Sequence, residues 1–395
     1  MRIAIDTLFE RGDNQASSAV DYLVNLCSYL PQAGPDHQYF ILVGRHSAHR
    51  YKHLVRENVH LVDCVFANDY RMLRILTQQS LVPIRLRQLK VDALFAAGNV
   101  CPLIGQFCRV LKINTLHHYS APQMLGRAKS TYRKVAFGLS ARAADRIVAN
   151  SSATRDDICS LLKVDPNKVT TVWEAVDDSF MPASDEAKQR LIERLNLHRP
   201  FLLFSSTLWP YKNAHTLLRA YGNLVRNHGI QSDLVFAGRT DEISYRKQLD
   251  EIVREERLAK RVHFLGLLPN REMPALYSAA TMLVYPSLSE TFGKPLVEAM
   301  RCGLPVIASN ASCIPEILGG AGLLIDPNDA GDISKAIYRV LTDDVLRRQL
   351  IERGRERGQA FSWEESARQT LNVIESSFEE WRPTHRTAAY VAAHR

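Results

Sequence analysis

Several protein classes are excluded by what this sequence lacks. No apolar run approaches the roughly 18 residues that cross a bilayer as a helix. The opening MRIAIDTLFERGD has no apolar segment after its early arginine, so neither a membrane span nor a secretory leader is expected there. A cytoplasmic protein follows. Seven cysteines, an odd number scattered from Cys27 to Cys313, include no CxxC pair, which argues against a disulfide framework and a structural zinc site. They read as reduced core thiols. No GxGxxG follows a strand pattern, and the nearest glycine cluster, GGAG at Gly319 to Gly322, lacks the spacing and context, so a dehydrogenase is disfavoured. No internal repeat or low-complexity segment is present.

What is present describes a folded chain. Its 395 residues are 46% hydrophobic, too long for one ordinary core, so two domains are expected. The formal net charge of +8 is uneven: thirteen Lys or Arg stand against two Asp between Arg71 and Arg146. Such a window reads either as a solvated basic face or as a surface for an anionic partner. No basic-aromatic alternation accompanies it, and a nucleic-acid partner is not expected.

Short apolar runs alternate with helical patterns. RIAID, YFILVG, DALFAAG, VLKINTL, RIVANS and VTTVWEAV read as strands, with SAVDYLVNLCSYL and STYRKVAFGLSARAA as helices among them. A polar stretch around Pro182 then marks a linker. FLLFSS, DLVFAG, VHFLG, TMLVYPS, PVIAS and GLLID form a second series, separated by helices such as NAHTLLRAYGNLVRN and SYRKQLDEIVREERL. The class is α/β, with two doubly wound, Rossmann-like domains over 1–182 and 183–365. Residues 366–395 supply a further helix that packs back on the N-terminal domain, and a tail. Ligands are expected at strand C-termini, in the cleft between the domains.

Two carboxylates stand out after TMLVYPS. Glu290 falls at the mouth of that strand, and Pro295 is placed to open a short helix that Gly303 ends. The backbone N–H groups of Phe292, Gly293 and Lys294 then lie at a helix N-terminus, which attracts phosphate. Glu298 sits about one turn in, where an ionised carboxylate accepts from a pair of neighbouring hydroxyls such as those of a ribose. A lone helical glutamate is more often simply solvated, but PLVEAM is largely apolar and a charge there needs a partner.

Glu290, seven intervening residues and Glu298, within SETFGKPLVEAMRCGLPVIAS, resemble the E-x7-E signature of retaining GT-B glycosyltransferases of the family-4, or group 1, type. SSTLWPYKN, LVFAGR, VHFLGLLP, PEILGGAGLLIDP and FSWEESA continue the resemblance across the C-terminal half in the expected order. It implies transfer of a sugar, a hexose with mannose as the working guess, from a GDP- or UDP-linked donor to an acceptor hydroxyl, with retention and no required cofactor or metal ion. Glu298 would bind the donor ribose, Glu290 would sit beside the transferred sugar, and Lys212 would neutralise the diphosphate. Departure of a nucleoside diphosphate concentrates negative charge that an ammonium and helix N–H groups stabilise. Relatives often carry an arginine where this chain has Ser206, whose hydroxyl donates to phosphate without adding charge. Gly238, Arg239, Leu265 and Gly266 match segments lining the base and diphosphate region, although tight strand-to-helix turns explain such glycines equally well.

The N-terminal half resembles the family more weakly. VLKINTLHHYSAP ends with His117, which would face the acceptor and sugar, and His118, where an aspartate is common. Glu174-Ala175 stand where Asn-Gly is usual. In place of a glycine-rich first loop there are only Gly12 and a Ser17-Ser18 helix start. The resemblance implies a front-face reaction in which the leaving phosphate helps deprotonate the acceptor, with Glu290 and His117 supporting the oxocarbenium-like sugar. A glycan or lipid-linked acceptor in bacterial surface polysaccharide or lipopolysaccharide assembly fits, with peripheral contact to anionic lipid on the inner face of the cell membrane. Two readings compete: a nucleotide-sugar epimerase of similar fold, and a non-catalytic subunit that binds nucleotide sugar without turning it over.

Overall fold

The computed structural model describes residues 1–10, 18–64, 75–116, 119 and 127–393. The chain divides into two compact units, Met1–Glu174 with Trp363–Arg395, and Ala175–Ser362.

The first unit holds a seven-stranded parallel sheet: β1 (Arg2–Asp6), β2 (Gln38–Val43), β3 (Val59–Asp63), β4 (Ala93–Ala96), β5 (Cys108–Ile113), β6 (Arg146–Ala149) and β7 (Val169–Thr171). Their order is β3-β2-β1-β4-β5-β6-β7. Strands β1, β2, β4 and β5 are buried almost throughout, which is why they read as continuous apolar runs rather than alternating ones. Strand β3, Val-His-Leu-Val-Asp, is absent from the expected series: it is an edge strand, half-buried over most of its length, and its polar residues break the apolar run.

Strand β5 carries two charges into this core. Lys112 is fully buried, with its Nζ 3.2 Å from Glu174 and 4.1 Å above the ring of Tyr22. Glu174 at the Asn-Gly position is thereby accounted for as the counter-charge of a buried ammonium. Arg109, 8% exposed, donates to the carbonyls of Pro102 and Gly105 at 2.9 and 2.8 Å. These two of the thirteen basic residues therefore do not belong to a solvated face.

The unit closes at Glu174 rather than at residue 182, because Glu174 is tied to Lys112 whereas Phe180 packs on Tyr277 of the second unit, at 6.1 Å. Its last helix, Trp363–Ala393, starts three residues before the expected 366. Trp363 packs on Tyr22 at 5.6 Å, and Glu375 and Glu380 bond His37 and Arg146 at 2.8 and 2.6 Å.

The second unit holds six parallel strands: β8 (Phe201–Ser205), β9 (Asp233–Ala237), β10 (Val262–Gly266), β11 (Met282–Tyr285), β12 (Val306–Ser309) and β13 (Leu323–Ile325). Their order is β10-β9-β8-β11-β12-β13. Winding runs outward from β8 to β10, then returns to place β11 on the other side of β8. The loops after β8 and β11 therefore diverge from a topological switch point, where open α/β sheets bind ligands. The helix Ala214–His228 buries Leu217, Leu218, Tyr221 and Leu224 against this sheet.

Candidate functional site

The loop after β8 is held by its neighbours. Ser206 N donates to Ala237 O at 3.0 Å and Leu208 N to Arg239 O at 2.7 Å. Gly238 has φ +149°, and a Cβ there would lie 1.9 Å from Ser206 O, so the two loops meet this closely only because the residue is glycine. A 3-10 turn, Pro210–Lys212, then leads to Asn213 in the left-handed region at φ +63°. Its side-chain amide donates to Pro286 O and Pro327 O at 3.1 and 2.7 Å, which fixes the β8, β11 and β13 loops to one another.

Lys212 is 8% exposed, so it is a core ammonium rather than a surface lysine. Its Nζ lies 2.5 Å from Glu290 Oε1 and donates to the Tyr285 hydroxyl at 3.0 Å. Tyr285 in turn donates to the same Oε1 at 2.6 Å. Burial disfavours the charged lysine, but attraction by Glu290, Tyr285 and Tyr211 outweighs it and holds the ammonium above its ordinary value. Burial, reinforced by the Glu290 charge, likewise raises Tyr285. The cluster is one ammonium, one carboxylate and one neutral phenol, each pair in contact. Among the described residues Glu290 Oε2 has no hydrogen-bond partner. The Glu290 backbone is clamped from the other side, its N accepted by Ser312 Oγ at 3.3 Å.

Eight residues along the chain, Glu298 lies in the helix Lys294–Arg301. Tyr277, fully buried, donates to its Oε2 at 2.7 Å and has Ser205 Oγ at 2.9 Å. A phenol has one hydrogen to give, so the carboxylate takes it and Ser205 donates to the phenol oxygen. Burial and the neighbouring Glu298 push the Tyr277 pKa up. The helix starts at Lys294, one residue ahead of the expected Pro295, because Gly293 caps it at φ +83° and Pro295 takes the second position. Among the described residues the amides of Phe292 and Gly293 have no acceptor, leaving donors at the positive end of the helix. The Phe292 ring is buried, 5.6 Å from Phe361 and edge-on to it.

Lys212, Glu290, Phe292 and Gly293 thus share two loops at the β8/β11 switch point, with Ser206 at the root of the first and with Lys294 and Glu298 in the helix that follows the second. Arg239 and Leu265 lie further out, after β9 and in β10; Arg239 is exposed and reaches Asp241 at 3.4 Å. His117 and His118 lie outside the described residues, as do Gly12 and Ser17. Sequence reasoning missed Tyr285, Tyr277 and Ser205. The signal was available: a tyrosine in an otherwise aliphatic strand, or in an apolar helix turn, needs a partner for its hydroxyl. No three His, Cys, Asp or Glu side chains among the described residues are grouped to hold a metal ion.

A two-sheet α/β chain with paired carboxylates and a buried lysine at a switch point belongs to a restricted class, and comparison with known proteins gives the family. Residues 19–180 match Glycosyltransferase Family 4 and residues 185–357 match Glycosyl transferases group 1. O-antigen chain mannosyltransferase B of Escherichia coli is 31% identical over 269 residues, 66% of this chain and 69% of that protein. D-inositol 3-phosphate glycosyltransferase of Corynebacterium kroppenstedtii is 28% identical over 71% of this chain, the match spanning 65% of its own length. The E. coli serotype-specific mannosyltransferase WbdA is 30% identical over 57% of this chain, which corresponds to 28% of its length. HepE of Anabaena, crystallised with UDP and glucose, superposes with a TM-score of 0.74 at 20% identity, covering 95% of this chain and all of that one. The chain belongs to the GT-B glycosyltransferases of group 1.

Proposed function

We propose that the protein transfers a hexose, with mannose as the working assignment, from a nucleotide diphosphate sugar to a hydroxyl of a glycan or lipid-linked acceptor, with retention and without a metal ion or further cofactor. The observation that carries the reading is the Lys212–Tyr285–Glu290 cluster at the switch point, beside the open amides of Phe292 and Gly293. An ammonium has three N–H groups, and Glu290 and Tyr285 take two. The third, with the two amides and Lys294, suits the diphosphate whose charge grows as the sugar departs. Glu290 Oε2 suits a sugar hydroxyl. Glu298, oriented by Tyr277, suits the ribose diol, and Ser206, Gly238, Arg239 and Leu265 suit the phosphate and base. His117 is assigned to the acceptor side.

The names of the mannosyltransferase relatives, one of them for O-antigen chains, support mannose and a role in bacterial surface polysaccharide assembly; the cytoplasmic side of the membrane is our assignment. The UDP complex of HepE keeps uridine donors in play. Incubation of the protein with GDP- and UDP-sugars and oligosaccharide or lipid-linked acceptors tests the reading. A glycosylated acceptor of retained configuration is expected, and loss of about 100-fold or more in turnover for Glu290→Gln. A sugar interconverted without any acceptor would identify an epimerase instead. Tight nucleotide-sugar binding with no product would identify a binding subunit.

A further inference from the structure

Strand β11 pairs with β12 as far as Tyr285 and Ala308, and beyond that last pair serine hydroxyls keep the two loops joined. Ser309 Oγ donates to Ser287 O at 2.6 Å, both residues fully buried. Ser312 Oγ then accepts from Glu290 N at 3.3 Å and donates to Glu290 O at 2.5 Å. One hydroxyl thus does for Glu290 what a neighbouring strand would do, accepting from its amide and donating to its carbonyl. Among the described residues Glu290 N and O have no other partner.

The backbone at Ser312 carries a cost. Its φ of +58° is left-handed, a region where a residue with a Cβ is strained and glycine is not. Of the six other described non-glycine residues with positive φ, three are asparagines, which tolerate the region, and three follow helix ends, where it is usual. Ser312 is neither: it precedes Cys313, which caps the start of the helix Ile314–Leu318. A serine standing where glycine would sit unstrained points to a use for its hydroxyl.

We propose that Ser312 is a positioning residue for the sugar-transfer step, setting the Glu290 backbone so that Oε1 meets Lys212 and Tyr285 while Oε2 faces the transferred sugar. On its other side the loop is tied by Leu288 N to Tyr211 O at 2.8 Å, next to Lys212. Without the Ser312 hydroxyl, only that tie and the side-chain contacts to Lys212 and Tyr285 would place Glu290. A displacement of about 1 Å at a reacting group costs up to about 100-fold in rate. Ser312 is exposed, so water takes over part of the clamp, and about a tenfold loss is expected when the hydroxyl goes. The inference rests on the assignment of Glu290 to the transferred sugar and names the residue through which the β12 loop acts on it.

Release of nucleoside diphosphate from a panel of GDP- and UDP-hexoses, with a mannoside acceptor, tests it. The proteins compared are wild type, Ser312→Ala, Ser312→Gly, Glu290→Gln, and Ser312→Ala combined with Glu290→Gln, each with a thermal melt. Both single Ser312 variants should lose about tenfold in kcat with the donor KM little changed. Glycine relieves the left-handed strain that alanine keeps, so Ser312→Gly should melt above Ser312→Ala and yet be as slow. On the Glu290→Gln background Ser312→Ala should cost little more, because both changes act through one carboxylate. Turnover at the wild-type rate in Ser312→Gly would reduce Ser312 to a loop residue and overturn the inference. So would the full tenfold loss on the Glu290→Gln background, which would place its action elsewhere. A wild type that releases no nucleoside diphosphate would instead refute sugar transfer itself and take the inference with it.

Discussion

Replacing Tyr285 by phenylalanine isolates one atom of the candidate site. The ring keeps its packing on Phe204, 6.1 Å away, and Lys212 keeps its 2.5 Å contact with Glu290. What disappears is the hydroxyl that accepts from Lys212 at 3.0 Å and donates to Glu290 Oε1 at 2.6 Å. A hydrogen bond to a charged group is worth about 1.5–3 kcal/mol. Because Oε1 retains the ammonium, the lower end applies, and a stability loss of about 1–2 kcal/mol is expected. For a unit of this size that lowers the thermal midpoint by about 2–8 °C. If the phenol also fixes the direction in which Glu290 Oε2 points, turnover should fall about tenfold with the donor KM little changed, since the diphosphate contacts stay in place. Thermal melts, and steady-state release of nucleoside diphosphate measured well below the midpoint, read the two effects separately. A lowered midpoint with unchanged turnover would refute the positioning role and reduce Tyr285 to a core residue.

Further outcomes follow from other parts of the molecule. Gly238→Ala, which would put a Cβ 1.9 Å from the Ser206 carbonyl at φ +149°, should destabilise by about 3 kcal/mol or more and weaken donor binding, measured by denaturant titration and calorimetry. Glu174→Gln leaves the fully buried Lys112 without its counter-charge and should cost about 3–5 kcal/mol, much of it recovered when Lys112→Met is added. Burial holds the thiols of Cys64, Cys101 and Cys302 at about 12 against an ordinary 9.0. Their unfolded forms therefore lose protons first as pH rises past 9, and stability should drop by about 1.4 kcal/mol per pH unit for each thiol up to about 12. A thermal midpoint that stays flat from pH 8.5 to 10.5 would contradict those burials.

How much of this was legible in the sequence depended on whether a residue's partners are near it in the chain. The strands of both sheets are apolar runs because parallel sheets are covered on both faces, and only the half-exposed edge strand β3 escaped. Glu290 and Glu298 were legible as a pair because only a short loop and one helix turn separate them. Lys212 was legible as a candidate for the site only by resemblance, since its burial comes from Tyr211, Tyr285 and Glu290, the latter two more than 70 residues away. Tyr277 has the same character: its partners Ser205 and Glu298 arrive from β8 and from a different helix. The basic window misled in part, because charge counted along the chain does not distinguish Arg85, which faces water, from Lys112, which the core encloses with Glu174.

The most direct test of the central claim is calorimetric titration of the protein with GDP, UDP and their hexose derivatives, repeated with Glu298→Ala and Lys212→Ala. Selective binding of one nucleotide series, weakened about tenfold or more in Glu298→Ala and more severely in Lys212→Ala, is the predicted result. Binding of equal strength in all three proteins would place the donor elsewhere and contradict the assignment of the β8/β11 loops.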